Sequence, residues 1–353
     1  MPINSTEDLR SHIELAIQVE LSTIPPYLFA MYSIENATSE AALLLRSIVA
    51  EEMLHAALAT NLLLAVGGQP DFASTRYIPT YPSELPHHTP PLVLGLEPCS
   101  VELIQEVFMR IEQPETHGAP AQPDQFETLG QFYHALEIGL RELSAELEIF
   151  ADPQLDRQMS DPSFYGPVQF DADDSGGLMM IEDLDSAIDA IEVIVHQGEG
   201  LSDERWADPD HQELTHYYKL ERLVEGISTI GRVHPIPKNP RTTAYPPNLR
   251  AASDLFNGAY RYLFHVMEKL FSATPSRSQH VGRLYRLMTG VMSPLARYLV
   301  TQQVDDKHAA PTFEIYELDP ADPGSHVLQL AEDAVRLNHE LETVAVSLEA
   351  AVI

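Results

Sequence analysis

The chain has 353 residues, with 21 lysines and arginines against 53 aspartates and glutamates and a formal net charge of -32. That charge excludes nucleic acid and anionic membrane as partners, since both are polyanions, and a lone cysteine, Cys99, excludes an internal disulfide and any thiolate-clustered zinc or iron–sulfur site. The 44% hydrophobic content suits a globular protein with a large core. Length alone suggests two domains. No apolar run is long enough to span a bilayer, and Pro2-Ile3-Asn4-Ser5-Thr6-Glu7-Asp8 lacks the basic and apolar regions of a signal peptide, so the expected compartment is the cytoplasm.

In chain order, apolar residues Ile13, Ala16, Ile17, Leu21, Ile24 and Leu28 form a helical stripe over about Thr6–Ser33. Glu20 sits inside that stripe. Pro25-Pro26 implies either a kink one turn past Glu20 or a helix ending near Ser22 and restarting with Thr23 as its cap. A second helix is predicted from near Ser39 to Val66, stopped by Gly67-Gly68. The few residues between the two make an antiparallel hairpin. From Gly68 to about Phe126 proline and polar residues take over, except for an amphipathic stretch at Ser100–Ile111. Helix returns at Leu129–Phe150, at Asp185–Gln197 ahead of Gly198-Glu199-Gly200, and at roughly 209–226. Beyond the proline-rich stretch Val233–Pro247, three further helices are predicted near Ala251–Ser272, Gln279–Gln302 and Ser325–Ala350, with an extended piece at Pro311–Leu318.

Two Glu-x-x-His quartets lie in this helical sequence, Glu52-Met53-Leu54-His55 and Glu213-Leu214-Thr215-His216, preceded by the single glutamates Glu20 and Glu137. Residues three apart share a helix face, so each quartet can aim a carboxylate and an imidazole at one point. Random placement gives about one or two such matches in a chain this rich in glutamate, so the motif alone is weak. A third match, Glu84-Leu85-Pro86-His87, serves as a control: its prolines forbid a continuous helix. The other two sit on faces that a bundle would bury, where an uncompensated carboxylate is costly. The competing reading is surface acids with two satisfied core histidines. Both quartets together with Glu20 and Glu137 instead match a four-helix bundle that holds two metal ions, with Glu199 as a competitor for the place of Glu137. Oxygen-rich ligation with one imidazole per ion suits iron or manganese better than zinc or copper.

The runs Glu20-Leu21-Ser22-Thr23-Ile24-Pro25-Pro26-Tyr27-Leu28, Glu51-Glu52-Met53-Leu54-His55 and Asn61-Leu62-Leu63-Leu64-Ala65-Val66-Gly67-Gly68-Gln69-Pro70 resemble the ferritin-like iminophenyl-pyruvate dimer synthase family. Gln197-Gly198-Glu199-Gly200, His216-Tyr217-Tyr218-Lys219-Leu220-Glu221 and Ala310-Pro311-Thr312-Phe313-Glu314 continue the likeness. The resemblance implies a ferritin-like bundle and a role in bacterial secondary metabolism. It also implies a carboxylate-bridged dimetal centre on Glu20, Glu52, His55, Glu137, Glu213 and His216. In bisindole pigment pathways a similar domain is fused to a large haem-containing synthase; nothing here looks like that haem portion, so the coupling activity is not carried over.

The expectation is therefore an all-α protein, a ferritin-like four-helix bundle over residues 1–232 with loop insertions at 68–126 and 151–181, plus a C-terminal helical domain at 248–353. Two irons are expected, with a mixed manganese–iron or a manganese pair as alternatives. The expected partners are a small organic substrate and O2, and a second copy of the chain or a biosynthetic enzyme would also fit. Hydroxylation, desaturation and oxidative coupling all stay open. The alternatives are a non-catalytic partner of a biosynthetic oxidase and an iron-oxidising protein.

Overall fold

A computed structural model describes residues 2–116, 118–166, 176–198, 214–227 and 229–353, and helices carry nearly all of its regular structure. Helix α1 (Thr6–Ser33) starts where the Ser5 side chain accepts a hydrogen bond from the Asp8 amide. Helix α2 (Glu40–Ala65) starts in the same way on Ser39. It stops at Gly67, whose φ of +73° favours glycine, and whose amide bonds the Leu64 carbonyl while that of Gly68 bonds Leu63. These are the expected helix limits. By length and composition α2 could cross a membrane, contrary to the sequence expectation, but 89% of its most apolar window is buried inside the protein.

The double proline does not divide α1, which runs unbroken through Pro25 and Pro26. Thr23 is no cap: it lies inside the helix, with its hydroxyl oxygen 2.8 Å from the Glu20 carbonyl one turn back. Pro26 has no N–H for the Ser22 carbonyl one turn earlier. The hydroxyl of Tyr81, reaching in from the loop after α2, donates to that carbonyl at 2.7 Å instead. An outside donor thus replaces the bond that proline removes.

Helix α3 follows Ser100 as three joined pieces, Val101–Leu103, a wider π turn at Ile104–Phe108 and Met109–Ile111. Helix α4 (Leu129–Glu146) opens with a reciprocal Thr128/Gln131 capping box. Helix α5 is Leu184–Gly198 and helix α6 is His216–Val224. Packing closes a ring of four: α1 lies on α2, α2 on α5, α5 on α4 and α4 on α1. Helix α6 packs against α2, α3 and α5. The fourth bundle member expected over 209–226 is thus a nine-residue helix starting at His216, with residues 209–213 outside the described range.

In the C-terminal region α7 (Pro247–Leu270) packs on α8 (Arg277–Tyr285, a π turn at Arg286–Met292, then Ser293–Leu299) and on α9 (Pro323–Leu337). The single helix predicted at Ser325–Ala350 is two, α9 and α10 (Glu342–Val352). Asn338, whose side chain accepts from the Glu340 amide, ends the first in extended backbone. Two hairpins of two-residue strands, Ser83–Glu84 with Val93–Leu94 and Gln303–Val304 with Lys307–His308, and two single 3-10 turns, Thr242–Ala244 and His339–Leu341, complete the regular structure of the described residues. The control quartet is not helical, since Glu84 lies in a strand and His87 has a φ of +59°.

One hydrophobic core runs from Ile3 to Ala351 without a break. The first insertion joins its two ends. Phe72 stacks on Phe271 at 5.6 Å and lies 6.5 Å from Phe264, while Glu268 of α7 accepts the Phe72 amide at 2.9 Å.

If Tyr81 sustains the proline turn of α1, Tyr81→Phe leaves a buried carbonyl unpaired and should cost about 1–3 kcal/mol in urea denaturation. A loss below about 0.5 kcal/mol, the scatter of neutral substitutions, would show that the hydroxyl contributes nothing there.

Candidate metal centre

Glu20, Glu52 and His55 form one buried triad and Glu52, Glu112 and His216 a second, with Glu52 common to both. His55 Nδ1 lies 3.4 Å from Glu20 Oε2 and 3.7 Å from Glu52 Oε1. His216 Nδ1 lies 3.1 Å from the same Glu52 oxygen and 3.3 Å from Glu112 Oε2. The imidazoles stack with ring centres 5.4 Å apart. Helices α1 and α2 supply Glu20, Glu52 and His55 from mid-length, where neighbouring turns hold the backbone rigid. The end of α3 supplies Glu112 and the first residue of α6 supplies His216.

Each carboxylate has one oxygen bonded outward and the other turned to the imidazoles. Tyr133 of α4 donates to Glu20 Oε1, Thr23 donates to Glu52 Oε2, and Tyr27 donates to Glu112 Oε1 at 2.5 Å. The imidazoles follow the same rule. His55 Nε2 bonds Gln197 Oε1 at 2.9 Å and His216 Nε2 bonds Glu51 Oε2 at 2.8 Å, so the Nδ1 atoms face the carboxylates. Glu51 in turn accepts from Lys219 at 2.7 and 2.5 Å, both side chains being buried.

The sequence-predicted residues divide. Glu20, Glu52, His55 and His216 meet as described. Glu137 does not: its carboxylate is 30% exposed and pairs with Arg141 at 2.7 Å on the outer side of α4. Its neighbours Leu136 and Leu140 face the core, and Glu137, about 100° further round the helix from Leu136, does not share their face. Glu112 stands in the place given to it. Glu213 lies outside the described residues, as does Glu199, the competitor for the place of Glu137. The second quartet is not a helical turn, because Thr215 is the extended N-cap and α6 begins at His216. Sequence reasoning missed Glu112, Glu51, Lys219 and the support from Thr23 and Gln197. Glu112 had a signal: it continues the buried face of Ile104, Phe108 and Ile111, as Glu20 does on α1.

Three buried carboxylates in such proximity disturb one another. Burial, and then the charges of Glu112 and Glu20, push Glu52 up to about 7. Burial would lower His216, yet the charge of Glu112 and the bond to Glu51 hold it well above the ordinary imidazole range. His55 is raised in the same way, Glu20 outweighing burial. Burial would raise Glu51, but Lys219 and His216 bring it below the usual carboxylate range. His216 Nδ1, although fully buried, makes no hydrogen bond among the described residues despite two carboxylate oxygens within 3.3 Å. Lone pairs converging with excess negative charge are the donor set of a divalent cation, so the residues fit a metal pair. Beside them is a cavity of about 10 Å³, lined also by Leu129, Tyr133, Ile194, Val195 and Gly198. It has room for roughly one water-sized molecule.

Residues 13–225 match the Ferritin-like family. The chain belongs to that family. This ferritin-like chain is 24% identical to a dichlorochromopyrrolate synthase of Lentzea aerocolonigenes, over 97% of its own length and 39% of that protein's. It is 26% identical to a 2-imino-3-(indol-3-yl)propanoate dimerase of Chromobacterium violaceum, over 83% and 32%. The chain thus spans 39% and 32% of the length of these relatives. A crystal structure of a ferritin like protein from Caulobacter vibrioides shares the fold, with a TM-score of 0.59 over 83% of this chain and 96% of that one at 23% identity. The all-α ferritin-like architecture and the family resemblance drawn from the motifs both hold.

Without metal, Glu52 titrates near 7 when folded against 4.5 when unfolded. A carboxyl so raised binds more protons in the folded state, so its stabilisation is present below 4.5 and is lost as pH rises through 7. His216, also raised, acts in the same direction at higher pH. Metal-free protein should lose on the order of 3 kcal/mol from Glu52 between these limits. Glu52→Gln should flatten that slope in urea melts taken at stepped pH. An unchanged slope would mean that Glu52 is already ionised at low pH.

Proposed function

We propose that this chain is an O2-dependent oxidoreductase that acts on a small organic metabolite at a carboxylate-bridged dimetal centre, most simply of two irons. The observation that carries the reading is the sharing of Glu52: one carboxylate belongs to both triads, as a bridging ligand would. Glu20 and His55 would complete one half and Glu112 and His216 the other. Two carboxylate groups and one imidazole per ion suit iron or manganese. Two such ions, when bound, supply the redox capacity for reducing O2 and oxidising an organic molecule.

The chain's own contribution is placement and dryness. Tyr133, Thr23 and Tyr27 each fix one oxygen of a carboxylate, so the other stays aimed inward. Gln197 and Glu51 fix the tautomers of the two histidines. Leu129, Ile194 and Val195 line the adjoining cavity with hydrocarbon and keep bulk water from the carboxylates. The space beside the carboxylates admits a molecule the size of water or O2 directly against the centre. The relatives' names support secondary metabolism, and they make imino acids of indole-bearing amino acids the first compounds to test.

Protein produced in iron-supplemented medium should carry two metal ions per chain. Glu52→Ala or Glu112→Ala should remove most of that content, and Glu137→Ala should leave it unchanged. O2 uptake by the reduced protein should accelerate with an imino acid substrate and vanish in Glu52→Ala. Metal content well below two that ignores Glu52→Ala would refute the centre. Full metal content with no substrate-dependent O2 uptake would favour a non-catalytic or iron-oxidising role.

A further inference from the structure

The two imidazoles are held from behind by unlike groups. His55 Nε2 bonds the neutral amide of Gln197, while His216 Nε2 bonds the carboxylate of Glu51 at 2.8 Å. That carboxylate is itself immobilised: Lys219 donates to both of its oxygens and Ser47 donates to Oε1 at 3.1 Å. Lys219 is fully buried and Glu51 is 1% exposed, although neither belongs to a triad. Lysine is almost never fully buried without a partner, and a buried ion pair is weak evidence of stabilisation, because well-packed apolar residues often do as well. The pair therefore needs a reason beyond folding.

Hydrogen bonds to an ionised acceptor are roughly twice as strong as neutral ones. The outer partner of a metal-bound imidazole changes metal affinity by about 10- to 100-fold. The Glu51 bond restrains the His216 ring more firmly than an amide can, and it makes Nδ1 the better donor. Lys219 neutralises Glu51 in place, so the bond adds no net charge behind the ligand.

Resting on the dimetal reading, we propose that Glu51 and Lys219 are positioning residues that make the half-site of Glu52, Glu112 and His216 the tighter one, so that it fills before the half-site of Glu20, Glu52 and His55. The order of loading follows from amide against carboxylate behind the two rings.

The test is anaerobic titration of the metal-free full-length chain with Co(II), followed by its visible absorption bands and by calorimetry. Wild type should bind in two steps at least about tenfold apart. His216→Ala should abolish the tighter step and His55→Ala the weaker. Lys219→Met alone strands a buried carboxylate and is expected to impair folding. The decisive variant is therefore the double substitution Glu51→Gln with Lys219→Met, which removes both charges of the pair together and gives His216 an amide partner like that of His55. It should weaken the tighter step 10- to 100-fold while circular dichroism stays native, and Gln197→Leu should weaken only the other step. Equal steps in wild type, a tighter step untouched in the double variant, or its loss in His55→Ala would overturn the proposal. No cobalt binding in wild type would overturn the dimetal reading itself.

Discussion

Glu20, Glu52 and Glu112 carry acidic groups into the dry interior of a helical protein, within reach of one another and of two imidazoles. Carboxylates so placed repel each other and cannot all stay ionised without positive charge between them. The two imidazoles, drawn toward their charged form by Glu20 and Glu112, relieve part of that repulsion. Lys219, a buried cation, pairs with Glu51. Each carboxylate also receives one hydroxyl donor on its outer oxygen, which leaves its inner oxygen turned to the centre. The protein keeps the remaining repulsion and fixes its geometry, the state of a site prepared for cations.

Helix periodicity explains how so few elements manage this. On α1, Glu20, Thr23 and Tyr27 lie at i, i+3 and i+7, a single face. They provide one carboxylate of the cluster and the hydroxyls that hold the other two. On α2, Glu51 and Glu52 are neighbours about 100° apart in direction, so one meets Lys219 and the other the centre. Ser47, one turn before Glu51, and His55, three residues after Glu52, extend these two faces. Helices α4 and α5 close the ring of the bundle and send Tyr133 and Gln197 to hydrogen-bond the centre.

Legibility in the sequence followed the regularity of the backbone. Glu20, Glu52 and His55 could be read because they sit on long helices whose apolar stripes betray which face is inward. Glu137 was misread through its neighbours. Leu136 and Leu140 are buried, but Arg141 four residues on offers a surface ion pair, and that pair forms. Glu112 continues the buried face of Ile104, Phe108 and Ile111, but its helix passes through a π turn and it lacks a histidine three residues later, so no quartet marks it. The second quartet points to an imidazole that does join the cluster, but not through a helical turn, since the helix starts at His216 and Thr215 is extended. Support from Tyr81 to Ser22 was illegible for another reason. It joins residues far apart in sequence, and only the fold brings them together.

That last contact also explains why the C-terminal helices belong with the bundle. The Ferritin-like match ends at residue 225, yet similarity to the Lentzea relative covers 97% of the chain. The sequence similarity to that larger protein therefore extends through the C-terminal helices. The structure supplies a physical route between them and the centre. Helix α7 grips the first insertion through Glu268 on the Phe72 amide and Arg261 on the Phe72 carbonyl. Arg241, just ahead of α7, bonds the Tyr81 carbonyl at 3.0 Å, and the Tyr81 hydroxyl bonds Ser22, two residues past Glu20. Loosening α7 would release Tyr81, leave the proline turn of α1 short of a donor, and free Glu20 and Thr23 to shift. A bundle that tolerates two prolines beside its site needs an external brace, and the C-terminal helices hold that brace in place.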